Sequence, residues 1–243
     1  MLEISLKAEE LFKIGGYTVT NSLLLSLVVF FVLSSFAIFF KKNTKLIPGF
    51  LQNITEVVIE AFLSLMDSVL NDRKKSEKYL PLIVTIFIFI LASNWLGLLP
   101  GVGSFILREE HANIPLLRSP ASDINFTLTL AITAIITINL LGIKAVGFSK
   151  HVKKFLNFGN PIKFFVGILE FFSEISKTIS FSFRLFGNIF AGEVLLTIVF
   201  FLVPYIVPVP FLFLEFFFGA IQALIFASLT LIFLSIHTTA EEH

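Results

Sequence analysis

Arg184 and Glu193 stand nine residues apart in the stretch SFSFRLFGNIFAGE (180–193), which otherwise reads as membrane interior. A guanidinium keeps its charge at every accessible pH, and at the centre of a bilayer that charge costs about 2.5–3.5 kcal/mol on insertion scales. On a helical wheel of about 100° per residue, Glu170, Ser173, Lys177, Ser180 and Asn188 all fall within about 40° of Arg184. They make a polar track along an apolar helix. Glu193 falls about 180° from Arg184 on the same wheel, so a direct pair between them is not expected. The next apolar segment repeats the inventory: Glu215 and Gln222, seven residues apart, share a face. Gly219, Ala223 and Ala227 form a small-xxx-small series that lets another helix approach closely. Earlier segments add Asn94, Asp123, Asn125 and Asn139.

A buried carboxylate takes up and releases a proton as its environment changes, whereas an arginine cannot. The roles open to Arg184 are to attract an anion or to stop cations passing straight through, and intramembrane charges mark ion paths or substrate sites by default. A structural arginine would have a carboxylate three or four residues away, but those positions hold Ser180, Phe181, Gly187 and Asn188. The bland alternative is polar glue between helices, and it serves Ser173, Ser180, Asn125 and Asn139 as well as function does. For Glu170 and Lys177, near a helix end, snorkelling to the interface competes evenly. With Glu193 and Glu215 on one side, Glu170 on the other and Arg184 between, the pattern is two half-channels separated by a positive plug. No mobile carboxylate stands out in the chain, so the carrier is expected to belong to a partner facing the arginine.

These residues need long membrane elements to position them. The chain is 56% hydrophobic and only 14% charged, with a mean hydropathy of +0.93; a soluble domain is about 25% charged. The net charge of +1 gives no case for nucleic acid, and the absence of cysteine excludes disulfides and thiol chemistry. Apolar segments run at 20–40, 79–100, 124–146, 162–203 and 206–237, the first three matching a hydrocarbon core about 30 Å thick. A 42-residue fourth helix would be about 63 Å long, so it is expected to tilt, bend or break. Between the first two spans, IPGFLQNITEVVIEAFLSLMDSVL places Ile54, Val57, Val58, Phe62 and Leu65 at helical spacing. This predicts an amphipathic interfacial helix, with a short span as the alternative. The N-terminal MLEISLKAEELFKIGGYTVT lacks the pattern of a cleaved signal peptide.

Pro161 opens the fourth segment, and Pro204, Pro208 and Pro210 mark a turn before the fifth. The last two segments are therefore expected to form an antiparallel hairpin. Five crossings place twelve basic residues on one side: Lys41, Lys42, Lys45, Arg73, Lys74, Lys75, Lys78, Lys144, Lys150, Lys153, Lys154 and Lys163. Lys7, Lys13, Arg108 and Arg118 fall opposite, which predicts an outside N-terminus and a cytoplasmic C-terminus. The expectation is one all-α integral membrane domain over 1–243. It comprises an outside segment at 1–19, outer helices across 20–146 and an ion-conducting hairpin at 161–237.

FRLFGNIFAGE (183–193), the upstream LEFFSEISKTIS, the downstream GAIQALIFASLTLIFLS and the terminal AEEH closely resemble subunit a of the rotary F-type ATP synthase, bacterial type. SNWLGLLPG (93–101) and SDINFTLTLA (122–131) are similar to that family's second and third spans. The resemblance runs from about residue 20 to the end. It implies a stator subunit of the membrane sector that passes protons, the default ion, to and from the carboxylates of a c-ring of small hairpin subunits. The b subunits of the peripheral stalk and the rest of the complex are further implied partners, in a bacterial plasma membrane. No cofactor, metal or catalytic residue is implied, and ATP chemistry would belong to partners. Arg184 would displace the proton from each ring carboxylate and prevent slip, with Asn188 one turn beyond. Glu193 and Gln222 match the outside half-channel, and Glu170, Ser173 and Lys177 the cytoplasmic one. Glu215 stands where bacterial relatives carry histidine, Lys177 where many have arginine, and Thr178 replaces a proline.

Two other classes compete. A self-contained transporter would use Arg184 to bind an anionic substrate, but it predicts an internal repeat, and none is evident. A purely structural anchor predicts that neutral replacements of Arg184 and Glu193 are harmless. A small-molecule enzyme fits least, because there is no phosphate loop and His111, His151, His237 and His243 are scattered.

Overall fold

The computed structural model describes residues 8–99, 106–109, 112–148, 151 and 161–238. The expectations placed on the AEEH terminus, His111, His243, Lys7, Lys150, Lys153 and Lys154 lie outside them. Among the described residues there are six α-helices and two small hairpins. Strands β1 (Glu10–Ile14) and β2 (Tyr17–Thr20) pair antiparallel around Gly15 and Gly16, both at positive φ, 57° and 91°. A two-residue turn that follows strand twist needs that conformation. Thr20 then caps helix α1 (Asn21–Asn43), its side chain accepting from the Leu23 N–H.

Helix α2 (Phe50–Leu70) ends at Asn71, which takes the left-handed conformation (φ 51°) and donates its N–H to the Asp67 carbonyl. Asp72 at once caps α3 (Arg73–Leu98), accepting from the Lys74 and Lys75 N–H groups. The helix therefore starts six residues before the apolar segment at 79. Strands β3 (Ile106–Glu109) and β4 (Ala112–Pro115) follow, then a single 3-10 turn at Pro120–Ser122. Asp123 caps α4 (Ile124–Val146), accepting from the Asn125 N–H. Helices α5 (Pro161–Leu202) and α6 (Pro208–Thr238) are the long pair, each opening on proline.

Five of the six helices, all but α2, are long and apolar enough to cross a membrane. Their outer surfaces agree: Phe31 and Phe39 on α1 are more than 60% exposed, which suits lipid and not water. α1 touches the rest of the molecule mainly through its first turns, where Leu25 and Val29 are buried and Ser22 Oγ donates to Asp123 Oδ2 at 2.7 Å. α2 splits its apolar stripe. Val58, Phe62 and Leu65 pack against the core, while Ile54 and Val57 stay exposed.

The core lies where α3, α4, α5 and α6 meet. α3 packs chiefly on α6, and α4 bridges α5 and α6. Ile86 and Ile90 of α3, Ala131 and Ala134 of α4, Phe181, Leu185 and Ile189 of α5 and Phe226 of α6 form one cluster. The small-residue series does what its spacing predicts. Ala223 and Ala227 are completely buried, and a Cβ at Gly219 would come within 3.2 Å of Asn94 Cβ. Asn94 Nδ2 donates to the Gly219 carbonyl at 3.0 Å. The contact brings the α3 backbone close to α6 and ties the hairpin to the outer helices.

Candidate functional site

The apolar face of α5 points Phe181, Leu185 and Ile189 into the core, so the helix turns Ser180, Arg184 and Asn188 outward. Arg184 is exposed and makes no hydrogen bond or ion pair with any described residue. One turn on, Asn188 Nδ2 donates to Gln222 Oε1 at 2.7 Å. Gln222 is buried on α6, so this bond ties the two long helices together just beyond the arginine.

Glu193 faces elsewhere, as its half-turn offset requires, and meets a residue that sequence reasoning missed. Arg118, from the segment between β4 and the 3-10 turn, donates from Nε to Glu193 Oε1 at 3.1 Å and Oε2 at 3.3 Å. Its Nη2 reaches Oε2 at 3.3 Å, and Nε also meets Ser122 Oγ at 3.1 Å. Two features hold Arg118 in place. Ser122 Oγ donates back to the Ser119 carbonyl, and Ser119 presses on Gly97 at the end of α3. Glu215 of α6 is buried beside this pair. Its carboxylate occupies the space that a side chain on Gly192 would fill, and its Oε1 has no hydrogen-bond partner among the described residues. An orphaned acidic oxygen next to a second carboxylate is a costly arrangement, of the kind expected of a group that exchanges protons.

At the other end of the hairpin, Lys177 Nζ donates to Glu174 Oε1 at 2.8 Å and lies 3.9 Å from Glu170 Oε1. It also stands over the Phe233 ring, 4.8 Å from its centre. Lys177 and Glu170 thus keep company inside the chain. Ser173 is half-buried beside them. Glu174 was missed because it sits about 80° from Arg184 on the wheel, off the narrow stripe. Its three-residue spacing from Lys177 was the available signal. His237 Nε2 approaches the same Oε1 at 3.2 Å, and Asn139 Nδ2 reaches Oε2 at 3.4 Å. Two of the four histidines that look scattered in the chain converge here, with the His151 and His237 rings 5.8 Å apart.

Five potential spans, with charged groups enclosed among the last three and Arg184 exposed without an ion pair among the described residues, define a multi-pass membrane protein with charge inside its apolar helices. Residues 22–235 match the family described as ATP synthase A chain. The chain is 36% identical over 204 residues to ATP synthase subunit a of Campylobacter jejuni subsp. jejuni serotype O:23/36 (strain 81-176), covering 83% of this chain and 82% of that one. It is 39% identical over 186 residues to subunit a of Gloeobacter violaceus, covering 76% and 70%. To subunit a of Moorella thermoacetica it is 28% identical over 226 residues, covering 93% and 94%. The chain belongs to the ATP synthase A chain family. It is a membrane-sector component that works in a complex with other subunits.

Proposed function

We propose that this chain is the stator half of a rotary ion path, passing protons through two half-channels to and from carboxylates on a ring of small hairpin subunits. The observation that carries the reading is Arg184, exposed and without an ion-pair partner among the described residues. Such a charge facing hydrocarbon would be costly, so the surface calls for a covering partner that supplies a negative group. Glu215, Glu193, Gln222 and Asn188 line the approach on the side of the α5–α6 turn. Glu170, Ser173 and Lys177 line it on the opposite side. Arg184 separates the two. A ring carboxylate gives up its proton when it meets the guanidinium and takes another from the second half-channel.

The choice of arginine follows from energetics. Each proton falling through 100 mV releases about 2.3 kcal/mol, and several are needed per ATP, so a leak past the plug drains the drive. A lysine can be neutralised when buried, whereas an arginine cannot. The chain acts as one membrane domain in a bacterial plasma membrane, N-terminus outside and C-terminus cytoplasmic, with the b subunits of the peripheral stalk as further partners. It has no catalytic residue of its own.

Arg184→Ala tests this. The variant assembles with its partners, because the side chain makes no hydrogen bond or ion pair with any described residue, but ATP-driven proton pumping is lost. Normal pumping by an assembled Arg184→Ala complex would overturn the plug.

A further inference from the structure

Helix α1 belongs to the bundle only at its start. Asn21, Ser22, Leu25, Ser26 and Val29 are its buried residues, and from Phe30 to Asn43 none is buried. That second half, about 21 Å long at 1.5 Å per residue, leaves a space between itself and α3, which α2 borders with Thr55. The link from α1 to α2 is fixed. The Lys45 N–H donates to Gln52 Oε1 at 3.1 Å, and Gln52 Nε2 donates back to the Lys45 carbonyl at 3.0 Å. The enclosed space has a volume of about 500 Å³, within the roughly 300–1,000 Å³ of small-molecule sites.

Its walls are hydrocarbon. Leu33, Phe36 and Phe40 of α1 stand across it from Val84, Ile88 and Phe89 of α3, and a cavity with such walls stays dry and takes apolar ligands. The Thr55 hydroxyl is already committed, donating to the Leu51 carbonyl at 2.9 Å. Among the described residues that line the cavity, Lys41 alone is charged. Its side chain makes no hydrogen bond or ion pair with any described residue. Lys42 and Lys45 follow it, and Leu46, Ile47 and Phe50 beyond them are each more than three-quarters exposed. Basic and apolar groups side by side suit the boundary between lipid headgroups and acyl chains. Against the three lysines, α2 sets Glu56, whose Oε1 accepts from Gln52 Nε2 at 2.9 Å.

Size and charge together select the occupant. A partner's membrane helix, about 10 Å across and about 30 Å long, takes up about 2,400 Å³, far more than the cavity holds. One acyl chain is slender enough, and an anionic phosphate matches the unpaired lysine. A zwitterionic lipid offers the same chain but carries a compensating cation. We propose that the wedge between α1, α2 and α3 binds one anionic phospholipid, an acyl chain lying between the aromatic walls and the phosphate meeting Lys41, with Lys42 and Lys45 adding to the positive field. The lipid braces the half of α1 that the protein itself leaves unsupported. None of these residues belongs to the ion path, so the site stands or falls without it.

The test uses the intact complex, purified in a neutral detergent and mixed with phosphatidylglycerol whose acyl chain carries a diazirine. After illumination, peptide mapping is expected to find the adduct on the cavity-lining residues of α1 and α3. Excess unlabelled phosphatidylglycerol displaces the probe, and an equal excess of phosphatidylcholine does not. Lys41→Gln lowers the adduct about fivefold, the loss expected for one lysine at an anionic surface, and Lys41→Arg keeps it. Ala37→Trp, which fills the cavity from its α1 wall without altering the charge, lowers it as well. A phosphatidylcholine probe that reacts equally and is unmoved by Lys41→Gln would mean that bulk hydrocarbon merely fills the gap, and would overturn the proposal. Adducts confined to other subunits, or to residues outside the cavity, overturn it too, since a partner then covers the wedge. Should Lys41→Gln not assemble, competition on the unaltered complex decides by itself: phosphatidylcholine displacing the probe as well as phosphatidylglycerol does refutes the anionic site.

Discussion

The Arg118–Glu193 pair is the sharpest point at which the structure predicts energetics that the sequence does not. Arg118→Gln removes a guanidinium that makes three contacts of 3.1–3.3 Å to the carboxylate. A hydrogen bond to a charged group contributes about 1.5–3 kcal/mol when buried. Arg118 is buried, but the Glu193 side chain is 35% exposed, so solvent screening lowers the coupling to about 1–2 kcal/mol. In rate terms that is about 5–30-fold. The assay is a double-mutant cycle on proton pumping by the assembled complex, using Arg118→Gln, Glu193→Gln and both together. If Arg118 acts by holding Glu193, the double variant loses about 5–30-fold less than the product of the two single losses. Losses that multiply to within about twofold would mean the two residues act independently and the contact carries no functional weight.

Gly97→Ala should be poorly tolerated, because its Cβ would lie 2.5 Å from Ser119 Cβ and 2.8 Å from Ser119 Cα. Overpacking of this kind costs about 1–3 kcal/mol, and moving Ser119 drags Arg118 off Glu193. Heat stability of the purified complex falls, and with it the coupling measured above. Thr127 and Ser182 share a buried hydroxyl–hydroxyl bond of 2.9 Å between α4 and α5. Ser182→Ala alone is expected to cost about 1 kcal/mol, and Thr127→Val with Ser182→Ala together no more than either single change, since no orphaned group remains. Thermal unfolding of the complex reads both.

Some of this was legible from residue type alone. An arginine in a run of phenylalanine and leucine is conspicuous because of its desolvation cost, whatever surrounds it, and helical periodicity placed Asn188, Lys177 and Glu170 on its face. The limits of α4 were legible too, expected at 124–146 and found at Ile124–Val146, whereas α3, expected from 79, begins at Arg73 because Asp72 caps it there. The first hairpin was missed although Gly15 and Gly16 between two short runs announced it. Attention to long apolar segments hid a signal of period two. Glu174 escaped because a stripe about 40° to each side is narrower than the arc through which a helix meets two neighbours.

The remaining features had no local signal. Arg118 and Glu193 are 75 residues apart, Asn94 and Gly219 are 125 apart, and His151 joins Asn139 across the end of α4. Composition and periodicity state which groups a helix carries and on which side, because those follow from the geometry of one backbone. Which carboxylate each cation meets, and which cation is left without one, depends on where separate helices come to rest against each other. Arg118 and His237 find acids through that packing, whereas Arg184 remains exposed without one among the described residues.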